Sequence, residues 1–145
     1  MTTVRQLIQG KGNKVWTVSP DASVRDVLQT MIDKNVGALP VVDGENLVGI
    51  ISERDYARKV VLAEGESLSK PVGDIMTTIV CFVEPEQTLD DCMALMTDKR
   101  VRHLPVLSNG KLVGIVSIGD VVKEIISKQE FIIEQLEHYI AGTIA

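Results

Sequence analysis

The sequence predicts an α/β (α+β) fold: two β-α-β-β-α repeats packed sheet to sheet about a pseudo-two-fold axis, with a C-terminal amphipathic helix appended. Two observations carry this expectation. The first is an internal repeat. Sliding the chain against itself gives a match at a shift of 65 residues, so that Pro20 and Pro85, Pro40 and Pro105, and Gly49 and Gly114 superpose. The shift needs no gap from Val15 to Asp55, and 17 of those 41 positions are identical, far beyond coincidence. The second is size. A copy of about 60 residues buries too little apolar surface to be stable alone, so two copies are expected to share one buried contact.

Each element of the unit follows from local chemistry. Val15 to Val18 is a short extended run closed by Pro20. Ser23 with Asp26, and Thr88 with Asp91, make the pair that starts a helix, in which a hydroxyl accepts from the backbone N–H three residues on. Val24, Val27, Leu28, Met31 and Ile32 then fall on one helical stripe, repeated as Leu89, Cys92, Met93 and Met96, and that stripe is expected to face the core. Ala38 to Val42 and Leu47 to Ile51 flank Asp43-Gly44, and the second copy carries Asn109-Gly110 at this place, so both read as β-hairpins. A further helix is expected after each Ser-x-x-Asp, at Ser52 to Asp55 and Ser117 to Asp120.

Val4 to Ile8 and Val72 to Met76 read as short lead-in helices before the copies. The expected organisation is repeat 1 over 4–62, a surface linker over 63–71, repeat 2 over 72–127 and a helical extension over 128–145. In that extension Val122, Ile125, Ile126, Ile132, Ile133, Leu136, Tyr139 and Ile140 recur at near-helical spacing up to Gly142. So small a module has little surface on which to bury the stripe. It is expected to pack across a homodimer interface, the alternative being that it folds back on its own core.

Composition excludes several classes. With 45% hydrophobic residues the chain is no disordered segment, and with only five aromatic residues its core must be aliphatic. A net charge of −5 and no basic run argue against nucleic acid, whose phosphates bind Lys and Arg patches. The longest apolar run, Ile79 to Val83, is far too short to span a bilayer, and no signal segment opens the chain, so no membrane association and a cytoplasmic location are expected. Cys81 and Cys92 form no CxxC pair and read as small core residues. Catalysis is not expected. His103 and His138 are the only histidines, no Ser or Cys carries a nucleophile motif, and no metal-ligand spacing occurs.

The block Leu-Pro-Val, turn, Leu-Val-Gly-Ile, Ser-x-x-Asp, present as Leu39 to Asp55 and again as Leu104 to Asp120, resembles a tandem pair of CBS (cystathionine β-synthase) domains, the arrangement called a Bateman module. The likeness runs from Val4 to about Ile126, and Ser52 to Lys59 and Ser117 to Asp120 are similar to stand-alone bacterial and organellar members. It implies clefts between the copies that bind AMP, ADP, ATP, NAD(H) or S-adenosylmethionine, a regulatory role without catalysis, and dimerisation.

The resemblance also implies where a ligand would sit. Its Ser-x-x-Asp carboxylate takes the ribose hydroxyls, here Asp55 and Asp120, and a carboxylate suits a vicinal diol because it accepts two hydrogen bonds in one plane. The same motif is also a plain helix cap, and that alternative stays open. The two-fold arrangement would pair Thr17, Val36, Gly37 and Ala38 with Ile115, Ser117 and Asp120 in one site. It would pair Phe82, Val101, Arg102 and His103 with Ile50, Ser52, Arg54 and Asp55 in the other. Arg54, Arg58, Lys59, Arg102 and His103 are the candidate phosphate contacts. Gly119 stands where the first copy has Arg54, so the two clefts are expected to be unequal. A structural adaptor with empty clefts, docking a partner through its C-terminal helix, is the competing reading.

Overall fold

The computed structural model describes residues 1–12, 14–61 and 68–141. Residues 63–67 of the expected linker, and Gly142 at the expected end of the tail helix, lie outside the described residues. The elements run α1 (Val4–Lys11), α2 (Val24–Lys34), β1 (Ala38–Asp43), β2 (Asn46–Ser52), α3 (Glu53–Tyr56), α4 (Leu89–Lys99), β3 (His103–Ser108), β4 (Lys111–Ser117) and α5 (Ile118–Ile140).

The repeat in the sequence is a repeat in hydrogen bonds. β1 pairs antiparallel with β2, and β3 with β4, each with a register slip at the same place, Val41/Val42 and Val106/Leu107. The two sheets meet along β2 and β4. Gly44 supplies a positive φ in the first hairpin turn, whereas Asn109 and Gly110 both do so in the second. Ser23 Oγ accepts from Asp26 N at the start of α2, and Thr88 with Asp91 forms a complete capping box at the start of α4. Val24, Val27 and Met31 of α2 are buried, but Ile32 is exposed: eight residues after Val24 it has drifted about 80° around the helix and off the core-facing stripe.

The expected first strand of each copy shrinks to a single parallel bridge, Val18 to Val41 and Val83 to Val106. Val18 N donates to Pro40 O and Val42 N donates to Val18 O, with the same pattern around Val83. The next inward donor along each run would come from residue 20 or 85, and both are proline. The ladder therefore stops after one residue.

Lead-in segments exchange between the copies. Val4 and Leu7 of α1 join Val83, Leu89, Cys92, Met96, Leu104, Val106, Val116 and Val121 in one core. Val72 and Ile75, from the 3-10 turn that precedes the second copy, join Val24, Val27, Met31, Leu39, Val41 and Ile51 in the other. The backbone follows suit: Val4 N donates to Gln87 O at 2.8 Å, and Val72 N donates to Ala22 O at 2.7 Å. Each small core is thus completed by a segment from across the pseudo-two-fold axis, which couples the folding of the two halves. The Leu-Val-Gly-Ile glycines exist for this contact. A Cβ on Gly49 would lie 2.5 Å from Met76 Sδ, and one on Gly114 would lie 2.9 Å from Ile8 Cγ2.

The tail does not fold back on its own core. α5 runs 23 residues, and beyond Ile125 the side chains of Ile126, Phe131, Ile132, Ile133, Leu136, Tyr139 and Ile140 are all exposed. Among the described residues no helix is long and apolar enough to cross a membrane.

Candidate functional site

Strand ends and helix starts converge where the two halves meet. β2 hands over to α3 at Ser52, whose N–H and hydroxyl both donate to Asp55 Oδ2 at 3.1 Å, while Asp55 N donates to Ser52 Oγ. One carboxylate oxygen of Asp55 is therefore committed to capping, as the plain structural alternative required. The other is not. Among the described residues Asp55 Oδ1 meets only the Thr77 hydroxyl, at a loose 3.4 Å, and the carboxylate lines an open cleft of about 340 Å³. That volume falls within the range of small-molecule pockets.

This cleft gathers most of one predicted site. Ile50, Ser52, Arg54, Asp55 and Arg58 come from the first copy; Val101, Arg102 and His103 come from the second. Ile50, Ile79, Val80 and Val101 give an apolar wall, and Arg54, Arg58, Lys99, Arg100 and Arg102 bring cationic side chains to it, against Glu53 and Asp55. Arg54 Nη1 donates to Arg100 O at 3.2 Å, tying α3 to the loop after α4. Gly37, which the sequence assigned to the other site, lines this cleft as well. Its carbonyl accepts from Glu53 N at 3.0 Å, and a Cβ at this position would stand 3.3 Å from the His103 ring.

Two predicted residues are not brought in. Phe82 is absent from the cleft lining and 45% exposed. Neighbours alternate sides along an extended run, and with Val83 fully buried Phe82 turns to solvent. Lys59 Nζ donates to Ile75 O at 3.0 Å, tethered to the 3-10 turn rather than facing the cleft. After Tyr56 the helix widens into a π-turn over Ala57–Val61, which changes the side from which residues 58 and 59 project, and Arg58 takes the cleft position.

Thr77, Ile79, Val80, Cys81 and Lys99 were missed as lining residues. Thr77 pairs its backbone with Ile50 in both directions, an isolated bridge with no signature in the local sequence. Cys81 is half-buried: it packs against the second core and also reaches the cleft wall. Cys92 does take that role: it is fully buried, and burial, with Asp91 adjacent, pushes its thiol up to about 11.

The second predicted site is arranged differently. Asp120 Oδ2 accepts from Ser117 N at 2.8 Å, the same cap as Asp55, and also from Lys11 Nζ at 2.6 Å. Lys11 donates in addition to Ile115 O at 3.0 Å. Ala38 is buried, Val36 is half-buried and packs on the first core, and Thr17 is exposed. His103 lies between the two regions. Its pKa is lowered, first by burial and then by the positive charge of Lys11, against the opposing pull of Asp120 and Glu53, so the ring is neutral near pH 7. Among the described residues no cluster of His, Cys, Asp and Glu could hold a metal ion.

Comparison with known proteins agrees with this architecture. The family model for the CBS domain matches residues 11–62 and again 72–127. The mitochondrial CBS domain-containing protein CBSX3 of Arabidopsis thaliana is 39% identical, over 97% of this chain and 73% of its own length. A putative signal-transduction protein with CBS domains from Burkholderia ambifaria is 51% identical, with a TM-score of 0.84 over 88% of this chain and 96% of that one. CBSX2, solved in complex with AMP, is 30% identical, with a TM-score of 0.74 over 89% of this chain and 99% of that one. The repeat, the exchanged lead-in segments and these matches make one case: the chain belongs to the CBS-domain family, as a tandem pair of such domains.

Proposed function

We propose that the protein is a non-catalytic sensor that binds an adenine nucleotide, AMP, ADP, ATP or NAD(H), in the cleft on Asp55. The observation that carries this is the arrangement of that cleft. A carboxylate oxygen with one weak neutral partner faces an apolar wall on one side and guanidinium groups on the other, matching in order a ribose diol, a base and a phosphate. The AMP complex of CBSX2 supports the ligand class. A cationic ligand such as S-adenosylmethionine fits less well beside four arginines. The test is a thermal-shift panel of AMP, ADP, ATP, NAD, NADH and S-adenosylmethionine, since a ligand bound only by the folded state raises the melting temperature. No response to any of them would leave the adaptor reading in its place.

Self-association through α5 belongs to the same reading. Val122, Ile125, Ile132, Leu136 and Tyr139 follow alternating three- and four-residue steps, interrupted only by Gln129, with Ile126, Ile133 and Ile140 alongside. Lys123 and Lys128 lie in the first half of the helix, beside Asp120 and Glu124, whereas the second half carries Glu130, Glu134 and Glu137 and no lysine. An antiparallel pair of α5 helices brings Lys123 and Lys128 of one copy, which are the lysines of this helix, towards the glutamate-bearing second half of the other, so the occupant we assign to this face is a second copy of the chain. The free thiols of Cys81 and Cys92 support a reducing, cytoplasmic compartment.

A further inference from the structure

We infer that Lys11 acts as a tethered occupant of the Asp120 carboxylate, so that the chain binds one nucleotide, in the Asp55 cleft, although it carries two Ser-x-x-Asp sites. The inference rests on the nucleotide reading above and adds what decides between the two sites.

The pseudo-two-fold axis makes the comparison direct. In the first copy the acceptors are Ile50 O and the Asp55 carboxylate, and both are met by Thr77: its N–H donates to Ile50 O at 2.9 Å, and its hydroxyl approaches Asp55 Oδ1 at 3.4 Å. In the second copy the equivalent acceptors are Ile115 O and the Asp120 carboxylate, and both are met by the Lys11 ammonium, at 3.0 and 2.6 Å. Thr77 follows the 3-10 turn and Lys11 ends α1, so the two donors come from corresponding exchanged segments. Their chemistry is opposite. A neutral hydroxyl at 3.4 Å on Oδ1 leaves the Asp55 carboxylate a full-strength acceptor for a diol, whereas an ammonium at 2.6 Å on Asp120 Oδ2, the oxygen that also caps α5, makes a charge-assisted bond that draws on the carboxylate's charge and weakens it as an acceptor for a neutral diol.

Tethering keeps that bond in place. α1 is fixed on the second core by Val4 and Leu7, so the ammonium is held at high effective concentration beside Asp120. At the phosphate end Gly119 stands where the first copy has Arg54, so that cation is lacking. The inequality of the clefts therefore lies as much in the donor supplied by the opposite half as in the Ser-x-x-Asp motifs themselves.

Exchanging the two donors tests this. Isothermal titration of AMP into the full chain should give one site per chain. Lys11→Thr should add a second, weaker event, bringing the total towards two, and Lys11→Met, which keeps the aliphatic stem but no donor, should do the same. Thr77→Lys should weaken the first event at least tenfold with the melting transition still cooperative. Two AMP bound by the natural chain, or one bound by both Lys11 variants while they melt cooperatively, overturns the role of Lys11 and leaves the Asp55 cleft standing. No heat from AMP, ATP or NAD in any of these proteins removes both readings together.

Discussion

Arg54 and Arg100 face each other across the cleft, and the guanidinium of the first donates to the backbone carbonyl of the second at 3.2 Å. That carbonyl belongs to a residue in the left-handed region, φ 55° and ψ 41°, at the C-cap of α4. The equivalent cap of α2 is Asn35, also left-handed and a residue type that tolerates the conformation well. An arginine is an uncommon choice at such a cap, and here it is an arginine that lines the cleft.

Arg100→Asn should therefore separate stability from binding. Relief of the left-handed conformation is expected to stabilise the chain by up to about 1 kcal/mol. AMP affinity should fall several-fold with the loss of a cation at the phosphate end. Urea unfolding read beside an AMP titration checks both. Lower stability together with unchanged affinity would mean that Arg100 serves packing alone.

Asp55 has two duties, and a pair of substitutions divides them. Asp55→Ala should cost about 1 kcal/mol of stability through the lost cap, and should weaken AMP by about ten- to a hundredfold through the lost acceptor. Ser52→Ala should reproduce most of the stability loss with a much smaller change in affinity, since the Asp55 Oδ1 that faces the cleft stays in place. Equal affinity losses in the two variants would reduce the Ser-x-x-Asp carboxylate to a helix cap.

How far the site was legible in the sequence depended on which interactions repeat. The 65-residue shift announces Ser52 to Asp55 and Ser117 to Asp120, and the paired hairpins and helices follow from it because each copy carries the same local chemistry. Thr77 and Lys11 lie outside the ungapped match, and their importance comes from segments exchanged between the copies, which no local pattern encodes. Lys59 was misplaced for a related reason: the π-turn after Tyr56 is a departure from regular helix that the spacing of apolar residues does not announce.

Acidification should destabilise the protein through His103. Its folded pKa lies below the ordinary 6.5, chiefly through burial and then through Lys11, with Arg102 acting in the same sense and Asp120 and Glu53 opposing. The unfolded chain therefore takes up a proton near pH 6.5 that the folded chain refuses. Stability rises with pH across the window between the folded and unfolded values, and is lost as pH falls through about 6.5. His103→Gln removes the titrating group, so the drop in urea midpoint between pH 7.5 and 5.5 should be smaller than in the natural chain. An identical drop would place the acid sensitivity elsewhere.

The exposed half of α5 supplies the last prediction. Phe131, Ile132, Ile133, Leu136, Tyr139 and Ile140 are each more than half exposed in the single chain, although residues of these types are ordinarily buried. Neither core depends on them: the helix contributes Val121, with Ile125 packed alongside, and both lie before residue 127. A chain ending at Ser127 should therefore fold and keep its AMP affinity but sediment as a monomer, while the full chain sediments as a dimer. Lys128→Glu should weaken the dimer, because in an antiparallel pair it sets like charges opposite one another, and Glu134→Lys in the same chain should recover part of the loss. A chain ending at Ser127 that still sediments as a dimer would move the interface to the body of the module, and α5 would then be left as a surface for a different protein.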